Sequence, residues 1–84
     1  MEIHFHKNFK KKLKKLSPKI KNQFYARLVL FMKDKTHATL NNHSVDKAFT
    51  DCRSINVSGD YRAIFKEENN TVIFLKIGSH SELY

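Results

Sequence analysis

The chain has a single cysteine, Cys52, so no disulfide can close within it and no multi-cysteine zinc site can be assembled. A lone thiol fits a reducing compartment without demanding one, and a small buried hydrophobe is its plainer role. Long apolar runs are also missing. The longest, Leu28 to Met32, is bounded by Arg27 and Lys33 and falls far short of the roughly 20 residues that a transmembrane helix needs. Met1 to Lys7 carries Glu2 and two histidines in place of a charged stretch followed by an apolar one. It does not read as a signal peptide, and a cytoplasmic protein with no membrane partner is expected. Acid is scarce where base is dense. Between Lys7 and Lys21 there are eight lysines and no carboxylate, and every acid except Glu2 lies at or beyond Asp34.

What is present suits one folded domain over residues 1–84. The hydrophobic and charged fractions, 40% and 29%, are ordinary for globular chains. So short a chain buries only roughly 60 to 65% of its unfolded surface, so its core must be compact. The net charge of +8 is high for this size, and attraction to a polyanion is the simplest use of such a field.

Alternation at Ile3 and Phe5 predicts a short first strand. From Asn8 the period changes: Phe9, Leu13 and Leu16 make a helical stripe, with Lys10, Lys11, Lys12, Lys14 and Lys15 around the rest of the circumference. Ser17 can cap a following helix and Pro18 suits its first position. That second helix is expected from Pro18 to about Lys33, with Ile20, Phe24, Leu28 and Phe31 inward, so that the two helices form a hairpin. Asp34 to Lys47 reads as a connection with at most one irregular strand. Three β-prone runs follow, Phe49 to Val57, Tyr61 to Glu67 and Thr71 to Ile77, with turns at Ser58-Gly59-Asp60 and Glu68-Asn69-Asn70. The fold class expected is α+β, an antiparallel sheet packed against the helical hairpin. Ile73, Leu75 and Ile77 are expected to face the core, leaving the opposite sheet face open.

The chemistry to look for is cleavage of RNA by its own 2′-hydroxyl, which needs a base, a cation at the phosphate and an acid for the leaving oxygen, and no metal. The candidates are His43, Asp60, Arg53, Arg62, His80 and Tyr84. His4 and His6 form at most half of a metal site and read as a solvated strand face.

The strings His43-Ser44-Val45, Asp51 to Val57, Ser58-Gly59-Asp60-Tyr61-Arg62-Ala63-Ile64-Phe65 and Ile77-Gly78-Ser79-His80-Ser81-Glu82-Leu83-Tyr84 resemble the RelE and YafQ branch of bacterial ribonuclease toxins. The resemblance covers the whole chain in architecture and is specific from His43 onward. It implies a toxin of a toxin-antitoxin pair that cleaves mRNA on the ribosome, without cofactor, and that an antitoxin protein neutralises. It further implies that His43, Asp60 and His80 form the acid-base group, that Arg62 binds phosphate and that Tyr84 is the terminal aromatic. One position departs: where YafQ-like members carry a second catalytic histidine this chain has Asn56, which cannot exchange a proton. Arg53, Asn56 and the five lysines from Lys10 to Lys15 are expected to contact RNA. Two other classes remain open: a gyrase poison of the related ParE branch, and a non-catalytic basic RNA-binding module.

Overall fold

The computed structural model describes residues 1–84. Strand β1 (Glu2–Phe5) leads into helices α1 (Lys7–Lys15) and α2 (Pro18–Lys33). A 3-10 turn (Ala38–Leu40) precedes strand β2 (His43–Ser44), and strands β3 (Arg53–Asn56), β4 (Tyr61–Glu68) and β5 (Thr71–Ser79) follow, closed by a short helix α3 (His80–Leu83). The Ser17-Pro18 signal acts as anticipated, and His6, read in the sequence as part of a solvated strand face, supplies a second cap. The His6 ring Nδ1 accepts the Asn8 N–H at 3.1 Å and opens α1, while Ser17 Oγ accepts from Ile20 N at 3.3 Å with Pro18 in the first turn of α2.

The strands lie in the order β1-β5-β4-β3-β2. The expected meander is antiparallel throughout, and β1 adds to it as a parallel neighbour of β5. A parallel partner needs a crossover, which the two helices supply on one face of the sheet. Asn69 and Asn70, at φ 48° and 69°, make the two-residue β4-β5 turn, where asparagine tolerates the left-handed region. The run beginning at Phe49 is not strand at its start: Phe49 to Asp51 is a turn, with Asp51 at φ 60°, and β3 begins at Arg53.

The helices cover a phenylalanine core. Phe74 lies at its centre, with ring centroids 5.5–5.9 Å from those of Phe5, Phe9, Phe24, Phe31 and Phe65. The face of β5 differs from the expected one. Val72 and Phe74 point into the core, and Ile73 is exposed. The pairing slips between Ile64/Lys76 and Phe65/Phe74, so Leu75 is an extra residue that reverses the alternation and returns Ile77 to the core side.

Candidate nucleic-acid cleavage site

Strand alternation decides which side chains meet. Ile55, Ala63 and Ile77 belong to the core, so their neighbours Asn56 and Arg62, directly opposite one another and beside Gly78, project from the uncovered face. The adjoining row across the same face is His43, Ser54, Ile64 and Lys76, one residue from each of four strands. Adjacent strands are about 4.8 Å apart, so His43 and Lys76 stand roughly 14 Å apart at the backbone, and Ser54 and Ile64 between them are fully buried.

The tail folds back over this face. Gly78 permits it, since a Cβ there would stand 3.2 Å from Glu82 Oε1 and 3.6 Å from Leu83 Cδ2. Ser79 then starts α3 with a reciprocal capping box to Glu82. The His80 N–H donates to the Asp60 carbonyl at 3.1 Å, which ties the start of α3 to the β3-β4 turn. One turn later the Tyr84 ring lies 4.8 Å from that of His80 and meets Phe49 edge-on at 5.9 Å. The Lys76 ammonium sits 5.9 Å from the Phe49 ring centre. The 46–51 loop therefore reaches across part of the open face, consistent with full burial of Ile64 on that face.

Several polar groups lie on or beside this face. His43 follows Asn41, whose φ of 47° turns the chain at the end of the 3-10 segment. Its Nδ1 lies 2.7 Å from the Asn41 carbonyl, which can only accept, so Nδ1 carries the proton and a neutral ring presents Nε2 as a base. Arg62 Nη1 donates to the carbonyls of Ser58, Gly59 and Tyr61 at 3.0–3.3 Å, leaving Nε and Nη2 without partners. The exposed Asp60 carboxylate and the His80 ring make no side-chain hydrogen bond. Two buried oxygens on this face, Ser54 Oγ and Asn56 Oδ1, also lack partners.

Not every predicted residue joins them. Arg53 lies opposite Phe65 and so faces the helix side, where its Nε donates to Asn42 Oδ1 at 2.8 Å and its Nη2 to the Asn42 carbonyl at 3.3 Å. Arg53 and Arg62 cannot grip one phosphate. Lys12 is engaged by Glu82 at 2.8 Å, fastening α1 to α3. It lines a groove of about 510 Å³ with His6, Lys76 and Leu83, which links the lysine helix to the margin of the open face. Lys10, Lys11, Lys14 and Lys15 are exposed on α1 and flank the site instead of lining it. Lys76 was missed in the sequence, although a lysine inside the apolar run Val72 to Ile77 was a signal. Its side follows from the inward Ile77 next to it, as the expected alternation already had it. Phe49 was missed as well, because it was assigned to a strand.

Two ionisable groups depart from their ordinary behaviour. Burial raises the Cys52 thiol, which removes it as a nucleophile. Glu82 is held down to about 2, first by its hydrogen bond from Lys12 and then by those from Ser79. A depressed carboxyl contributes stability above its ordinary value of 4.5 and loses it as the pH falls through about 2. Acidification across that window is expected to undock α3, read as a change in the Tyr84 ring resonances. Glu82→Gln should show the undocked signal at neutral pH, without the acid transition. No three histidine, cysteine or carboxylate side chains converge as metal ligands would.

Comparison with known proteins places this geometry among relatives. A family model described as "Bacterial toxin of type II toxin-antitoxin system, YafQ" matches residues 1–84. No curated protein matches at the level of sequence. Among solved structures, YafQ from E. coli strain BL21(DE3) superposes with TM-score 0.82 at 20% identity, covering 99% of this chain and 97% of that one. YafQ in the E. coli DinJ-YafQ toxin-antitoxin complex gives 0.76 at 20% identity, over 99% and 96%. The RelB-RelE antitoxin-toxin complex from Methanococcus jannaschii gives 0.76 at 20% identity, over 96% and 94%. At these identities the superpositions establish the fold.

Proposed function

Because this chain belongs to the YafQ family of toxins of bacterial type II toxin-antitoxin systems, we propose that it is a metal-independent endoribonuclease that cuts mRNA in the ribosomal decoding site. The observation that carries this reading is the sheet face turned away from the helices, which carries His43, Arg62 and Lys76 on one side of the sheet with residue 80 tied to its margin. His43 Nε2 accepts the proton of the 2′-hydroxyl, and the 2′-oxygen attacks the adjacent phosphorus. Arg62 and Lys76 stabilise the charge that develops on the phosphorane, Arg62 through the guanidinium nitrogens its turn contacts leave free. His80, protonated, donates to the leaving 5′-oxygen as the P–O5′ bond breaks. The products are a 2′,3′-cyclic phosphate and a 5′-hydroxyl end. Tyr84 and Phe49 offer ring faces on which an unpaired base can stack. Asp60 accepts the His80 N–H through its backbone carbonyl and so holds residue 80 at the margin of the site, and its exposed carboxylate is a second candidate base. Asn56 binds substrate and takes no part in proton transfer.

DinJ and RelB are the antitoxins in the complexes of the two relatives. A cognate antitoxin is the partner proposed here, with cytoplasmic mRNA and ribosomes as targets and no cofactor.

The test is expression without a partner. Growth should arrest and messages shorten while DNA supercoiling stays unchanged, and cleavage in vitro should survive EDTA and leave a 2′,3′-cyclic phosphate. Gyrase-dependent DNA breaks with intact messages, or cutting that requires added Mg²⁺, would overturn the reading. Replacing Lys10, Lys11, Lys14 and Lys15 with glutamine should weaken ribosome binding and flatten its salt dependence, each lost contact lowering the log-log slope by roughly 0.7 to 0.9. The chemical step at saturating ribosomes should persist.

A further inference from the structure

Strand β1 stops at Phe5, where its pairing with β5 ends at Phe74, and the chain turns away into α1. Leu75 to Ile77 therefore have no strand neighbour on that side, and a groove of about 510 Å³ opens between this stretch, α1 and α3. A volume of that order accommodates a small ligand group. The groove begins at Lys76, on the row of the sheet that starts at His43, and passes α3 to reach α1.

Its walls offer N–H donors that the chain itself does not use. His6 Nδ1 accepts the Asn8 N–H at 3.1 Å, so the proton of the neutral ring is on Nε2, which has no partner within the chain. Lys12 Nζ donates to Glu82 Oε2 at 2.8 Å, and two of its three N–H groups remain. The Asn8 carboxamide is also unpaired. Glu82 is the one carboxylate in the groove, and its oxygens are occupied by Lys12 and by the Ser79 N–H at 2.8 Å. Two lysines against one carboxylate leave the groove positive, and a phosphate group, with several acceptor oxygens and a negative charge, matches such a set of donors.

The roles of base and acid fix which phosphate this is. The 2′-hydroxyl that His43 deprotonates belongs to the nucleotide on the 5′ side of the cut, and the 5′-oxygen that His80 protonates belongs to the nucleotide on the 3′ side. The RNA then crosses the sheet from β2 towards β5, and its next phosphate reaches the groove beside α3. We infer that the groove between α1, β5 and α3 is a subsite for the phosphate on the 3′ side of the nucleotide that follows the cleaved bond, held by Lys12, His6 Nε2 and Asn8. The inference rests on the nuclease reading for its polarity, whereas the donors of the groove are independent of that reading.

The full chain, isotope-labelled, is titrated with an uncleavable dinucleotide, ApA with a 2′-O-methyl group on its first ribose, in plain, 3′-phosphorylated and 5′-phosphorylated forms. The 3′-phosphate should tighten binding about tenfold at low salt, the effect of one charge-assisted contact, and shift the amides of residues 6–12 and 82–83. The 5′-phosphate should leave those amides unmoved. Asn8→Asp, which the first turn of a helix favours, should abolish the gain from the 3′-phosphate, and Asn8→Lys should enlarge it. His6→Asn keeps a capping acceptor and removes the Nε2 donor, so the gain should fall to about threefold. Equal affinity for the three forms, groove shifts produced by the 5′-phosphate, or equal gains in the two Asn8 variants would each overturn the proposal. Inorganic phosphate that binds the groove as tightly as the 3′-phosphorylated dinucleotide would overturn it too, by showing a site for the free anion. Because the probe cannot be cut, a chain that holds the 3′-phosphate in the groove yet leaves unmodified messages intact would sink the nuclease reading and keep the groove as an RNA phosphate site.

Discussion

Single-turnover cleavage of ribosome-bound message is expected to slow by roughly 10²- to 10⁴-fold when His80 becomes alanine, the scale for removing a positioned proton donor. Binding should change little, because the backbone N–H that ties residue 80 to the Asp60 carbonyl remains and α3 keeps its capping box. Lys76→Ala or Arg62→Ala should cost about 10²- to 10³-fold by removing a charge that stabilises the transition state. Lys76→Arg should recover most of that loss, since it keeps a cation on the same row of the sheet. Arg53→Ala separates the structural assignment from the sequence expectation. Its guanidinium is committed to Asn42 on the helix side, so cleavage should stay within a few-fold of the unchanged protein. The measurement is single-turnover cleavage at saturating ribosomes for the five variants. Normal cutting by His80→Ala, or loss of the chemical step in Arg53→Ala, would refute this placement of the site.

Phe74→Ala is expected to destabilise the fold by about 3–5 kcal/mol, the usual range for emptying a phenylalanine position in a core. A domain of 84 residues has roughly 4–13 kcal/mol in total at 0.05–0.15 kcal/mol per residue. Much or all of the stability would therefore be lost, because five other rings contact this one and cannot all close the gap. Ile73→Ala, one residue away but largely on the open face, should change stability by less than about 1 kcal/mol. Urea unfolding followed by far-ultraviolet circular dichroism checks both. Equal losses for the two variants would show that the reversal of β5 at Leu75 is wrongly placed.

Local rules determined much of this protein directly from its residues. Ser17-Pro18 set the break between the helices, Asn69-Asn70 set the last hairpin, and the alternation of Ile3 with Phe5 set the first strand. Each of these depends on the conformational preference of a residue and its near neighbours, which a sequence carries in full. The chemical inventory was legible for the same reason: His43, Asp60, Arg62 and His80 are recognisable wherever they lie. Their grouping was decided by the tertiary structure. One extra residue at Leu75 turns Ile73 out of the core and Phe74 into it, and pairing of Arg53 with Phe65 turns that arginine to the helix side of the sheet. Lys12 reads in sequence as one more lysine for RNA, and the tail, 70 residues away, returns Glu82 to it. Register and bulges are fixed by hydrogen bonds between strands distant in the chain. A shift of one residue exchanges the two faces of a strand without altering its composition, so no local pattern could reveal which cations share a face.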